Sequence, residues 1–273
     1  MTTPSSSQSV RLWHAITDAP PEVEAMASTL GFERFAHVRS GLYVSWDPQR
    51  FDRAKFNANI EEIKAICDGA DWISTDLEGL SRRIVRRPSD YSRTELKWAK
   101  WQFTSMWWAF RDVFPDVKIV EYDFPMSWRA GQYHEVDWLV LEYLDGFSPS
   151  IYWQDTPSWE RIAAGKVNYA LAMGRNTNRP VFPWVTERFK SWNDEHTVAT
   201  YELLAHDDLT TMVDFATTGT NGVIYWTYTL RRAANGNPAR IIPETLRPGY
   251  TQSDLYPGLA ILMAETRTRQ RQR

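Results

Sequence analysis

The 273-residue chain carries 31 basic and 34 acidic side chains, a net charge of −3, and 43% hydrophobic residues. That is enough apolar material for one barrel-sized core, with no global attraction to nucleic acid or to an anionic membrane. A single cysteine, Cys67, excludes an intramolecular disulfide and a thiolate metal cluster.

The first residues, MTTPSSSQS, have neither the basic start nor the apolar run of a signal peptide, and no stretch reaches the length of a membrane span. A cytoplasmic location is expected, with residues 1–9 a disordered tail. Val10 to Ile16 reads as a first strand, closed by Asp18-Ala-Pro-Pro, and Glu22 to Leu30 as a helix begun after the prolines. Phe35 to Val38 is a second strand that turns at Gly41-Leu42-Tyr43. Asp52 to Asp68 has apolar residues at helical spacing. Cys67 lies in that run with Ile60, Ile63 and Ile66, so it is expected to be a buried, small apolar residue.

Asp71 to Gly79, DWISTDLEG, carries the most chemistry. Trp72, Ile73 and Thr75 form a β-prone run that ends in Asp76-Leu77-Glu78 and Gly79. Strand side chains alternate, so the strand reading places Asp76 and Glu78 on one face, roughly 6–7 Å apart. Two carboxylates at the C-terminal end of a strand stand where an α/β barrel assembles its active site. The following loop holds Arg82, Arg83, Arg86 and Arg87, with Arg93 just beyond. Such a run is a solvated face or a contact for an anionic ligand.

Glu95 to Val113 is the clearest helix. Trp98, Trp101, Phe103, Trp107, Trp108 and Phe110 cover much of its circumference, which predicts extensive burial. Val117 to Tyr122 is the next strand, ending in Asp123-Phe124-Pro125. Glu135 to Leu144 fits helix or strand, and Phe147 to Trp153 is strand-like. Trp159 to Arg175 is a helix, Val181 to Val185 a strand, Leu203 to Thr217 a helix and Gly222 to Tyr228 a strand. About seven strands alternating with helices predict parallel pairing through crossovers. The expected fold is α/β, a single-domain TIM-like barrel of seven or eight parallel strands over residues 10–262, with 263–273 a basic tail.

Neither a dinucleotide-binding glycine motif nor a P-loop is present. His14, His37, His134, His196 and His206 are scattered without metal-ligand spacing, so no metal and no cofactor is expected. The fourteen Trp, twelve Tyr and twelve Phe are an unusually large aromatic share. Flat Trp and Tyr faces suit sugar rings as well as cores. The expected partner is a polysaccharide or oligosaccharide substrate, not nucleic acid or membrane.

Taken as an ordered set, the strand ends resemble the hyaluronidase family of glycoside hydrolases. The resemblance rests on Arg39-Ser-Gly41-Leu42-Tyr43, Asp76-Leu77-Glu78, Val120-Glu121-Tyr122-Asp123-Phe124-Pro125, Pro149-Ser150-Ile151-Tyr152, Pro180-Val181-Phe182-Pro183-Trp184 and Gly222-Val223-Ile224-Tyr225-Trp226. It spans roughly residues 10 to 230. It implies Glu78 as general acid/base and Asp76 as the group stabilising a substrate acetamido that attacks the anomeric carbon. Tyr152 would hydrogen-bond that acetamido and Trp226 would floor the sugar. Tyr43, Tyr122, Asp123 and Trp184 would line subsites. The segment after the acid pair departs from the family, with Gly79-Leu80-Ser81-Arg82 where an acid and Trp-Arg-Pro are usual.

The implied activity is endo-hydrolysis of an N-acetylhexosamine-containing polysaccharide by a substrate-assisted retaining mechanism. Two alternatives stay open. One pairs Glu78 with a protein nucleophile, Asp123 or Glu187. The other is a barrel that binds carbohydrate without cleaving it.

Overall fold

The computed structural model describes residues 10–15, 25, 27–46, 49–77, 92–125, 143–152, 159–186, 188–192, 199–203, 206–226, 266 and 268. In chain order its elements are β1 (Arg11–His14), β2 (Glu33–Arg34), β3 (Ala36–His37), β4 (Val44–Trp46), β5 (Gln49–Phe51), α1 (Arg53–Ala58), α2 (Ile60–Cys67) and β6 (Trp72–Thr75). There follow α3 (Arg93–Val113), β7 (Lys118–Glu121), α4 (Trp159–Thr177), β8 (Trp184–Val185), β9 (Arg188–Trp192), β10 (Ala199–Leu203), α5 (His206–Thr217) and β11 (Gly222–Tyr225). The alternation makes the architecture α/β with parallel strands, as the sequence predicts. The chain divides into two compact units, one of Met1–Glu33, Ile151–Ala163 and Phe182–Arg273, the other of Arg34–Ser150 and Ala164–Val181.

In the first unit, β1 runs parallel to β11 from Arg11↔Gly222 to His14↔Tyr225, and β11 runs parallel to β8 at Ile224↔Trp184 and Tyr225↔Val185. The sheet order is β2-β1-β11-β8. All four residues of β11 are buried, which is why GVIY is continuously apolar rather than alternating. It starts on glycine for a steric reason. A Cβ at Gly222 would lie 2.1 Å from the Trp13 ring and 2.6 Å from the Arg11 carbonyl. Trp13 in turn packs edge-on against Phe182, with centroids 4.5 Å apart. The antiparallel pair β9–β10, from Ala199↔Trp192 to Leu203↔Arg188, is absent from the sequence reading.

In the second unit, β3, β6 and β7 form a parallel sheet with Ile73↔Ile119 and Thr75↔Glu121 in register. Parallel bridges Tyr122↔Ser148 and Phe147↔Val181 extend the pattern where a full strand over Phe147 to Trp153 is expected. The predicted helix over Asp52 to Asp68 is two helices broken at Asn59. Its side-chain amide leaves the helical path to donate to the Leu42 carbonyl at 3.0 Å and also to Lys55 at 2.9 Å. Asp52 caps α1 by accepting from the Lys55 amide. Cys67 is buried, and burial pushes its thiol up to about 12.

Helix α3 begins in a capping box, with the Ser92 hydroxyl and the Glu95 carboxylate each satisfying the other's backbone N–H. Its burial is one-sided. Phe103, Met106, Trp107 and Phe110 enter the core, whereas Trp98, Trp101 and Trp108 are 39%, 61% and 62% exposed. The expected extensive burial holds for one face only, because Trp101 and Trp108 lie opposite the buried stripe and Trp98 lies at its flank. Among the described residues no helix is long and apolar enough to cross a membrane.

Candidate active site

The hydrogen-bonded ladder of β6 stops at Thr75, not at Glu78 as the sequence reading has it, and the next two residues are held by side chains instead. The Tyr43 hydroxyl accepts from the Asp76 N–H at 2.5 Å and lies 3.2 Å from the Asp76 carbonyl and 3.1 Å from that of Val38. One residue on, the Leu77 N–H donates to Glu121 Oε1 at 2.6 Å. Leu77 is sealed in the core and Asp76 is half-buried, so the side chains of 76 and 77 still alternate between outside and inside. The Ser40 hydroxyl lies 3.5 Å from Asp76 Oδ2. Glu78 and Glu187 are outside the described residues, as is the arginine-bearing loop before Arg93.

Beneath Asp76 lies a polar cluster set in hydrocarbon. Glu121, at the end of β7, is fully buried, and its Oε2 is 2.5 Å from the Thr75 hydroxyl and 3.4 Å from Trp107 Nε1. Trp107 Nε1 also donates to the Thr75 hydroxyl at 3.1 Å. Burial pushes the Glu121 carboxyl up to about 8, with a further upward push from Asp76 and partial opposition from the hydrogen bonds of Thr75, Leu77 and Trp107. Glu121 is thus uncharged at neutral pH. Tyr43 is raised well above its ordinary range by burial first, then by the nearby charges of Asp76 and Glu121. Beside Tyr122, at a ring separation of 5.7 Å, His37 is lowered to about 4 by burial and by Arg39, so it is neutral near pH 7.

Several sequence expectations change here. Tyr43 is fully buried and holds the Asp76 backbone rather than facing a sugar. Trp184 is also fully buried, because β8 packs it into the four-stranded sheet rather than presenting it to a ligand. Asp123 is buried with φ of 56°, and its Oδ1 accepts from the Ser150 N–H at 2.9 Å, the Ser150 hydroxyl at 2.8 Å and Lys166 Nζ at 2.7 Å. A carboxylate so engaged holds a left-handed turn in place. Tyr122 is half-buried.

In the first unit the structure brings Tyr152 and Trp226 together. Their rings stack 5.5 Å apart at 15°, and both are half-buried. The backbones beside them are fixed by the Ile151 N–H donating to the Trp184 carbonyl at 3.1 Å and the Trp226 N–H donating to that of Val185 at 2.9 Å. Trp159 Nε1 also donates to the Tyr152 carbonyl at 2.9 Å. Among the described residues no cluster of His, Cys, Asp and Glu could hold a metal ion.

Sequence reasoning missed Glu121, although an acid inside the apolar strand KIVE was the available signal. Thr75, Trp107 and Lys166 gave none, since each acquires its role from a distant partner.

No family model matches the sequence, and no curated protein matches it. The structure is similar to that of bee venom hyaluronidase at 14% identity, with a TM-score of 0.56 over 80% of this chain and 90% of that one. The fold is hyaluronidase-like. The same bee protein in complex with a hyaluronic acid tetramer gives a TM-score of 0.55 at 14% identity, over 81% of this chain and 91% of that one. Within this hyaluronidase-like fold the sequence motif Asp76-Leu77-Glu78 begins where β6 ends, at the C-terminal edge of a parallel sheet.

Proposed function

We propose that this protein is a glycoside hydrolase acting within a polysaccharide that contains N-acetylhexosamine, on a closed barrel of seven or eight strands. The observation that carries the reading is the half-buried Asp76 on an immobilised backbone at the end of β6, first of an Asp-Leu-Glu motif in a hyaluronidase-like fold. Glu78 donates a proton to the glycosidic oxygen as the bond to the anomeric carbon breaks. The substrate's own acetamido oxygen bonds to that carbon, and Asp76 stabilises the positive charge that develops on the acetamido nitrogen. Water then attacks the anomeric carbon and Glu78 takes its proton, so configuration is retained without a protein nucleophile. Tyr152 is assigned the hydrogen bond to the acetamido group and Trp226 the apolar surface under the sugar. The engagement of Asp123 by Lys166 and Ser150 favours this route over one in which Asp123 is the nucleophile. The bee protein's tetramer complex supports an oligosaccharide as the ligand class.

The test is a panel of N-acetylhexosaminide polymers with mass-spectrometric detection of products. The wild type is expected to release oligosaccharides. Glu78→Gln is expected to lower turnover by about 10²- to 10⁴-fold while binding survives. Full turnover by that variant overturns the assignment of Glu78, and tight binding without products from the wild type makes the protein a carbohydrate binder instead.

A further inference from the structure

We infer that Glu121 is the positioning residue of this site: its side chain fixes the backbone on both sides of Asp76 and so sets the direction in which that side chain points. The inference rests on the glycosidase reading for its catalytic consequence, but its structural half stands on geometry alone. Leu77 sits between the acids in sequence, and its N–H lies beyond the last ladder residue of β6. Glu121 Oε1 takes that N–H at 2.6 Å. The other oxygen meets the Thr75 hydroxyl, one residue before Asp76, at 2.5 Å. One side chain therefore bridges both flanks of Asp76, while Tyr43 holds Asp76 itself.

A neutral carboxyl can make both contacts. Its carbonyl oxygen accepts from Leu77, and its O–H donates to the Thr75 hydroxyl, which can pass its own proton toward the Val120 carbonyl at 3.4 Å. The Trp107 N–H closes the shell from α3. Asp76 and Tyr43 are titratable groups facing Glu121, and neither is a cation. Ionising Glu121 would put a second negative charge beneath Asp76 and remove the donor that Thr75 accepts from. Glutamine reproduces both hydrogen bonds with a carbonyl and an NH₂, whereas methionine keeps the volume and reproduces neither.

The experiment compares Glu121→Gln and Glu121→Met in the full chain by two readouts. Hydrogen exchange of the Leu77 amide reports the clamp without any substrate, and kcat and KM on the polymer that the wild type cleaves report its consequence. Glu121→Gln is expected to rescue both, keeping Leu77 protection and kcat near wild type. Glu121→Met is expected to accelerate Leu77 exchange and, by misplacing Asp76, to lower kcat about 100-fold with KM changed little. Unchanged exchange in the methionine variant overturns the clamp. Loss of turnover in the glutamine variant with exchange intact overturns the positioning role and makes Glu121 a proton donor in its own right. Absence of turnover by the wild type sinks the glycosidase reading alone, and the exchange arm still decides the clamp. Should Glu121→Met fail to fold, the pH dependence of Leu77 exchange replaces it. Protection that falls between about pH 4.5 and 8 in the wild type and stays constant in Glu121→Gln supports the clamp, and identical profiles overturn it.

Discussion

Strands β6 and β11 are alike along their length, each four residues, parallel to both neighbours and buried throughout, yet they finish on different principles. Past β6 the backbone is held by the side chains of Tyr43 and Glu121, and what it presents is a carboxylate. Past β11 the Trp226 amide simply continues the ladder to Val185, and what it presents is a ring stacked on Tyr152. A terminus fastened by side-chain hydrogen bonds depends on single atoms and their protons, because a lost partner leaves a buried polar group stranded. A terminus fastened by ladder and ring contact depends on area, which is forgiving.

The sharpest way to expose that difference is pH. Glu121 titrates near 4.5 when free and near 8 when folded, so the folded form holds a proton that the unfolded chain releases across that window. The contribution of Glu121 to stability is therefore full at and below about pH 4.5, falls as pH rises toward 8 by at most about 1.4 kcal/mol per pH unit, and is level above it. Denaturant titrations of the wild type against Glu121→Gln should show this divergence, and parallel curves would remove the buried acid from the account. Lys166→Met comes next, since it leaves Asp123 buried without its cation and should cost about 3–5 kcal/mol. Thermal denaturation checks it, with Asp123→Asn/Lys166→Met expected to recover part of the loss. Tyr43→Phe removes the acceptor from the Asp76 N–H and should cost about 1–3 kcal/mol, together with a fall in kcat. On the other side of the comparison, Tyr152→Leu should cost only about 0.5–1.5 kcal/mol, the worth of a half-buried ring pair. A larger loss there would erase the contrast between the two strand ends.

The strands β1, β6, β7 and β11 were legible because short apolar β-prone runs bounded by polar residues have few other solutions. The stop at Thr75 was not legible, since it depends on Tyr43 and Glu121, which lie 33 and 44 residues from the amides they hold. The role of Tyr43 was misread for the same reason, as a sugar contact instead of a buried clamp. Helix α3 teaches a different lesson. Its existence and its Ser92 cap follow from pattern, but counting aromatics concealed their phase, and the heptad-spaced Trp101 and Trp108 point away from the buried stripe. The β9–β10 pair had its signal in Phe189 and Trp192 of one strand and Tyr201 of the other, and β-prone runs so short are easily passed over.

Cys67 is the single thiol of the chain, shut inside the core with its proton held to about pH 12. An alkylating reagent at neutral pH has no thiolate to attack while the fold is intact. A cysteine introduced on the surface, at Trp101 for example, would then take a fluorophore selectively in native protein. Reaction at position 67 itself would clock the rate at which the surrounding core opens.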